Sequence, residues 1–446
     1  MALTALAFLM LFFGGLLLAF AIHPRFGLYT YLAVFYVHPP SRWWGDMLPD
    51  IRWSLVAAVV ALLALARLPP VIGRPKFLSL QPVWLLIAFT AWVWLQNAWA
   101  LDRVMQLDLS ILLTKYVVLY YLMYRLVDSP HMLNNVLFVH VLGCLFLGWL
   151  TYEAADAGRL DGVGGPGIGE ANALAMHVST GVFAAAYLIL HPGRWWVRLA
   201  CLIAMPFMLN VIVQAESRSA VLAFLAGGLV FWYLKPTAYR KLFYLGAAVG
   251  VLVVGYLGHA AFWERIATIR EATAGYSEDV DTSARSRWVL AELQLRVAAE
   301  NPLGVGHRGI VPLSEIYLQE RYLSTQGGRS SHNTYLTVLS EQGIPGALIF
   351  GALMLWALRS IWRMRDLRHQ PEATRMAGQV AAVAAMLAVA AVGGLGVDYL
   401  KAEVQIWAVA LLTALSVAQS MLYTVVEPRP VGDPGVEGLR PARWFG

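Results

Sequence analysis

Charge and cysteine are scarce in this sequence. Asp, Glu, Lys and Arg make up 13% of its 446 residues against 59% hydrophobic ones, which excludes a water-soluble fold, because so much apolar surface has nowhere to be hidden. The two cysteines, Cys144 and Cys201, both fall inside apolar runs; they read as packed thiols and support neither a disulfide nor a zinc site. The apolar runs do not alternate with polar residues at period two, which excludes a closed β-barrel. Met1 to Ile22 lacks a basic start and a small-residue cleavage signal, so it is expected as a retained helix. No fixed-period repeat is visible. The net charge of +6 points to no nucleic-acid partner, since its Lys and Arg residues are spread over short connections between apolar runs.

What is present is a succession of apolar runs, near 1–22, 26–40, 53–67, 79–98, 107–126, 133–154, 170–190, 195–213, 218–235, 241–260, 333–358, 375–396 and 402–425. Each must be helical, because lipid cannot satisfy a free backbone amide. The expected fold class is an all-α polytopic membrane protein with twelve or thirteen transmembrane helices, the second and third runs being short for a full crossing. Its parts are N-terminal transmembrane helices over 1–260, a long polar loop over 261–332, C-terminal transmembrane helices over 333–425 and a tail over 426–446. The connections holding Arg67, Arg74 and Lys76, then Arg194 and Arg198, then Lys235, Arg240 and Lys241, then Arg359, Arg363, Arg365, Arg368 and Arg375 fall on one side. The positive-inside rule makes that side, with the tail, cytoplasmic and the long loop periplasmic.

Within the long loop, Thr282 and Ser283 are placed to cap a helix from Arg285 to Ala299 with Trp288, Leu290, Leu293, Leu295 and Val297 as its apolar face; Asn301-Pro302 stops it. The glycines of NPLGVGHRG form a turn, and a second helix is expected from Val311 to Tyr322. Two amphipathic helices on the outer membrane surface would roof a cavity between the spans. The group Glu278, Asp279 and Asp281 reads as a solvated loop rather than a cation site.

Three places offer chemistry. Arg218, at the outer end of an apolar span, reads either as an interfacial arginine paired with Glu216 or as a ligand for an anion retained at cost near the membrane. Arg265, just after a span, makes either a surface pair with Glu264 or, with Arg218 and with Arg285 or Arg287, part of a cage around a diphosphate. His332 is either a helix-start hydrogen-bonding group beside Ser330 and Ser331 or a general base for an attacking hydroxyl. No metal is required by any of them.

These clusters carry a resemblance. SRSAVLAFLAGG from Ser217, RSRWVLAELQLRVAAENPLGVGHRG from Arg285 and SHNTYLTVLSEQGIPGALIF from Ser331 resemble, in order and spacing, the O-antigen ligase and polymerase superfamily of membrane glycosyltransferases. The similarity covers about residues 170–425. Asn172 after the glycine-rich loop DGVGGPGIG, and HPPSRWW from His38, look like the subgroup of ligases found beside exosortase systems. The resemblance implies about twelve spans of GT-C type with one long periplasmic loop. It implies an inverting transfer, without a metal or other cofactor, of a glycan from undecaprenyl diphosphate to the lipid A core at the periplasmic face of a bacterial inner membrane. Arg218, Arg265 and Arg287 would bind the diphosphate and His332 would act on the acceptor hydroxyl, with Arg285, Asn172, Asn333 and Tyr335 as further substrate-binding candidates. A polymerase or a protein O-oligosaccharyltransferase would share the donor and the arginines and differ in acceptor. A transporter would use Arg218 on a permeation route, but no inverted repeat is visible.

Overall fold

A computed structural model of the chain describes residues 2–69, 71, 73–154, 160–273, 282–319, 322–323 and 327–426, with the side chains of 268–273, 282–284 and 422–426 left aside. The acidic group Glu278 to Asp281, the capping side chains of Thr282 and Ser283 and the tail from 427 lie outside the described residues. Every one of the thirteen apolar runs is helical. The first ten are α1 (Leu3–Ala21), α2 (Arg25–Val37), α3 (Trp53–Leu65), α4 (Gln81–Leu95), α5 (Arg103–Leu126), α6 (Pro130–Glu153), α7 (Ala171–Leu190), α8 (Trp195–Gln214), α9 (Arg218–Leu234) and α10 (Arg240–Leu257). The long polar segment contributes α11 (Ala260–Thr273), α12 (Thr282–Glu300) and α13 (Ile310–Tyr317), and the chain continues through α14 (Thr334–Glu341), α15 (Gly343–Met364), α16 (Thr374–Gly393) and α17 (Val404–Val426). Among the described residues nine helices are long and apolar enough to cross a membrane. The short second and third runs form helices of 13 residues each, which at 1.5 Å per residue reach about 20 Å and fall short of the hydrocarbon thickness.

The centre of the bundle is α7, buried along almost its whole length, with α16 and α17 beside it. Both α7 and α16 are rich in Ala, Gly, Ser and Thr, which lets neighbouring backbones approach closely where lipid supplies no hydrophobic drive. A side chain at Gly227 of α9 would overlap Phe183 of α7 and Val389 of α16, and one at Gly378 of α16 would overlap Tyr187. At the periphery, α10 buries no residue.

The two ends of the bundle differ. At one, arginines donate to backbone carbonyls at helix ends and connections: Arg67 Nη1 to Phe20 O (2.6 Å), Arg74 Nη2 to Val127 O (3.0 Å), Arg198 Nη2 to His191 O (2.9 Å) and Arg368 Nη1 to Tyr233 O (2.6 Å). These are the basic connections that the sequence assigns to one side. At the other end lie the starts of α7, α9, α14 and α17.

Three expectations need correction. The run 333–358 is two helices, broken where Gly343 takes a left-handed backbone (φ 69°) and Ile344 N donates to Pro302 O (2.8 Å) instead of to α14. The second loop helix ends at Tyr317, five residues early. The apolar face of α12 consists of Leu290, Leu293 and Val297, which form a small core with Val305 and Ile310. Trp288 and Leu295 project the other way and are 60% and 53% exposed, because residues three or four apart share a helix face whereas those two sit off it.

Candidate functional site

The site end is organised around the turn joining α16 to α17. Helix α9 begins there with Ser217 as its N-cap, the hydroxyl accepting from Ala220 N at 3.2 Å. This leaves Arg218 as the first helical residue, half-buried, at the positive end of the helix dipole. Helix α14 begins with Asn333 as its N-cap, Oδ1 accepting from Tyr335 N and Leu336 N. The turn lies between these two starts. On one side Gly396 packs so closely on Ser219 that no side chain would fit. On the other Thr334 N donates to Gly394 O (2.7 Å), Thr334 Oγ1 donates to Val397 O (2.9 Å) and Asn333 Nδ2 donates to Leu395 O (3.2 Å). Arg218 and His332, each next to residues in these contacts, are thereby brought to the two flanks of one glycine turn.

Helix α12 lies across α14: Gln294 Nε2 donates to Ser331 Oγ at 2.9 Å, directly before His332. Arg287 is two turns upstream of Gln294 on the same face as the buried Leu290 and is half-buried, whereas Arg285 is exposed. Of the two, Arg287 is therefore the one on the α14 side of the helix, about 10 Å along the axis from Gln294. Arg265 is exposed on α11, which packs against α9. Glu216, with its backbone in the left-handed region, has Oε1 at 3.7 Å from His259 Nε2. Asn172 opens α7 just after the glycine-rich loop, whose Gly167 packs against the Lys401 carbonyl and whose Gly165 packs against Phe35 O and His38. The start of α7 thus borders the same end. The amide of Asn333 is taken up by capping α14 and by Leu395 O. Tyr335 donates to Ala391 O (2.5 Å) and faces the interior.

Below the turn an apolar cavity of about 760 Å³ runs between α4, α9, α15, α16 and α17. Thr334, Tyr335 and Gly394 line its head; Phe350, Leu353 and Val230 line its middle; Tyr233, Trp362 and Arg365 line its foot at the arginine-rich end.

A second polar constellation went unrecognised in the sequence. The NPLGVGHRG turn packs on the α14–α15 break, with Val305 N donating to Ser340 O (3.2 Å) and Gly306 N to Glu341 O (2.9 Å). Gly304 and Gly343 both have positive φ and a side chain on either would overlap the opposing backbone. The two glycine motifs are therefore each other's packing partners. The turn carries His307, whose Nδ1 stands 3.0 Å from Glu341 Oε2 with both side chains almost wholly buried; His307 N donates to Gln106 Oε1 (2.6 Å). Asp398, in the α16–α17 connection, faces this pair. Burial, reinforced by the nearby Glu341 charge and opposed by His307, pushes its carboxyl up to about 6. Glu403, before α17, is pushed up to about 7 by burial although Trp407 Nε1 donates to it at 3.0 Å. The available signal was Glu341 itself, an acidic residue in an apolar run.

Compared with known families, residues 203–351 match the family described as O-antigen ligase. That stretch contains α9, the polar segment and the α14–α15 break, with Arg218, Arg265, Arg285, Arg287, His307, His332, Asn333, Tyr335 and Glu341. No curated protein matches the chain.

Proposed function

The chain belongs to the O-antigen ligase and polymerase superfamily, and we propose that it transfers a glycan from undecaprenyl diphosphate to the lipid A core oligosaccharide, completing lipopolysaccharide. The observation that carries this reading is the junction of a polar turn with an apolar cavity. The flanks of Arg218 and His332 meet at the head of a groove whose apolar lining suits a polyprenyl chain. A lipid diphosphate has that two-part chemistry.

In the proposed reaction the tail occupies the cavity and Arg218 and Arg287 bind the diphosphate, with Arg265 approaching from α11. The acceptor hydroxyl oxygen attacks the anomeric carbon from the face opposite the diphosphate. The new glycosidic C–O bond forms as the bond to the diphosphate breaks, and its electron pair leaves on the phosphate oxygen. His332 takes the hydroxyl proton. Guanidinium groups stabilise the developing charge, so no metal is needed at the reacting centre. Inversion of the anomeric centre follows. The arginine-rich end lies in the cytoplasm by the positive-inside rule, which puts the turn at the periplasmic face of the inner membrane. Incubating the purified protein with undecaprenyl-diphosphate glycan and lipid A core tests the proposal: the joined product is expected. Longer lipid-linked chains would identify a polymerase instead, and glycan on protein a protein O-oligosaccharyltransferase.

A further inference from the structure

Cys144, read from sequence as a packed thiol without ligand neighbours, does have them. His140 lies four residues earlier on α6, one turn away on the same face, and α7 brings His177 to the same point. One ligand atom from each of His140, Cys144 and His177 lies within 4.8 Å of the others, and all three residues are buried. Cys144 Sγ stands 3.8 Å from His140 Nδ1. The Tyr36 hydroxyl, from the last turn of α2, sits among them, hydrogen-bonded to His140 Nδ1, 3.0 Å from His177 Nε2 and 4.0 Å from Cys144 Sγ. In a tetrahedral site with the usual bond lengths, donor atoms lie roughly 3.3–3.6 Å apart, so binding draws the three ligand atoms in by up to about an ångström, and the Tyr36 hydroxyl between them either swings aside or becomes the fourth donor.

The protons are arranged for ligation. Thr180 Oγ1 gives its own proton to His177 O (2.6 Å), so at its 2.9 Å contact with His140 Nε2 it accepts. This fixes His140 as the Nε2–H tautomer with the Nδ1 lone pair directed at Tyr36 and Cys144, the outer-shell arrangement that metal-bound imidazoles use. His177 Nδ1 is buried without a hydrogen-bond partner among the described residues. That ring can therefore move its proton from Nε2 to Nδ1 and offer Nε2 to a cation without breaking a bond at Nδ1.

We propose that His140, His177 and Cys144 bind one soft transition-metal cation, Cu(I), beneath the glycine-rich loop. Charge selects the ion. A thiolate and two neutral imidazoles make Cu(I) neutral, whereas Zn(II) on the same three ligands leaves a positive charge in the bundle core unless Tyr36 ionises as well. His177 lies six residues into α7, and the glycine-rich loop that precedes α7 rests on Phe35 and His38 through Gly165.

The test is metal stoichiometry on the full-length protein in detergent, titrated with Cu(I) against a chromophoric chelator and separately with Zn(II). One equivalent of Cu(I) per chain is expected, with X-ray absorption showing one sulfur and two nitrogen ligands. Cys144→Ser should weaken binding beyond the roughly 10- to 100-fold that loss of an outer-shell partner costs, Thr180→Val should fall in that range, and Cys201→Ser should bind as the parent does. A parent protein that binds neither ion, or a Cys144→Ser variant that binds Cu(I) equally well, overturns the proposal. Stoichiometric Zn(II) without Cu(I) overturns the choice of ion.

Discussion

The two ends of the bundle solve the same problem, joining helices at a membrane surface, by opposite means. The arginine-rich end uses long side chains reaching to backbone carbonyls, as Arg74 does to Val127 and Arg368 to Tyr233. The other end brings glycine backbone into close packing: Gly304 against Gly343, Gly306 against Ala100, and Gly396 against the Ser219 side chain. Flexible side chains tolerate change and rearrangement. Backbone contacts fix position, which a reacting site needs, since misplacement by an ångström costs rate. The difference agrees with the proposal that the glycine-packed end holds the chemistry.

The largest effect expected from breaking this contrast is at His332. His332→Ala should lower transfer by roughly 100- to 10,000-fold with expression and donor binding retained, while Arg368→Ala at the opposite end should leave transfer unchanged; both are read by product formation on purified protein. Next come the arginines of α12. Arg287→Ala should weaken donor affinity by roughly 10- to 100-fold, as loss of a charge-assisted hydrogen bond does, and Arg285→Ala should hardly change it, in direct binding of a lipid diphosphate. Equal effects would show that the α12 face is misassigned.

Smaller effects are expected at the glycines. Gly304 and Gly73 share a left-handed backbone (φ 81° and 78°), but a side chain at Gly304 meets the Glu341–Gly343 backbone whereas Gly73 has open space. Gly73→Ala should cost about 1 kcal/mol of strain and Gly304→Ala clearly more, seen as a larger drop in melting temperature. The smallest effect is on pH dependence. The raised value of Asp398 means that the folded chain holds this proton more tightly than the unfolded one. Its contribution to stability is therefore full below the unfolded carboxyl value, near 4, and is lost as pH rises through about 6. Asp398→Asn should raise the melting temperature at pH 8 relative to the parent and lose that advantage at pH 4.

Much of the fold was legible because it follows from composition. All thirteen apolar runs are helices, and the basic connections gather at one end. What periodicity could not show was long-range packing. The break at Gly343 depends on Pro302, forty residues away, and Leu295 looks apolar in sequence although its face points outward. Arg218 and His332 stood out locally by type and position. Glu341 was readable as an acidic residue in an apolar run, but His307 and Asp398 were not, because two separate connections bring them to it. His140 and Cys144 were a readable pair at helical spacing, but the third ligand, His177, comes from the next helix.

The central claim is that one lipid-linked donor spans the apolar cavity and ends at the α16–α17 turn. It is tested most directly with a polyprenyl-diphosphate analogue photoreactive in its tail, crosslinked to the purified protein and mapped by mass spectrometry. Labelling along Val230, Phe350 and Leu353, displaced by unmodified donor, is the expected result. Labelling confined to outward surfaces such as α10, or undiminished by competing donor, would contradict it.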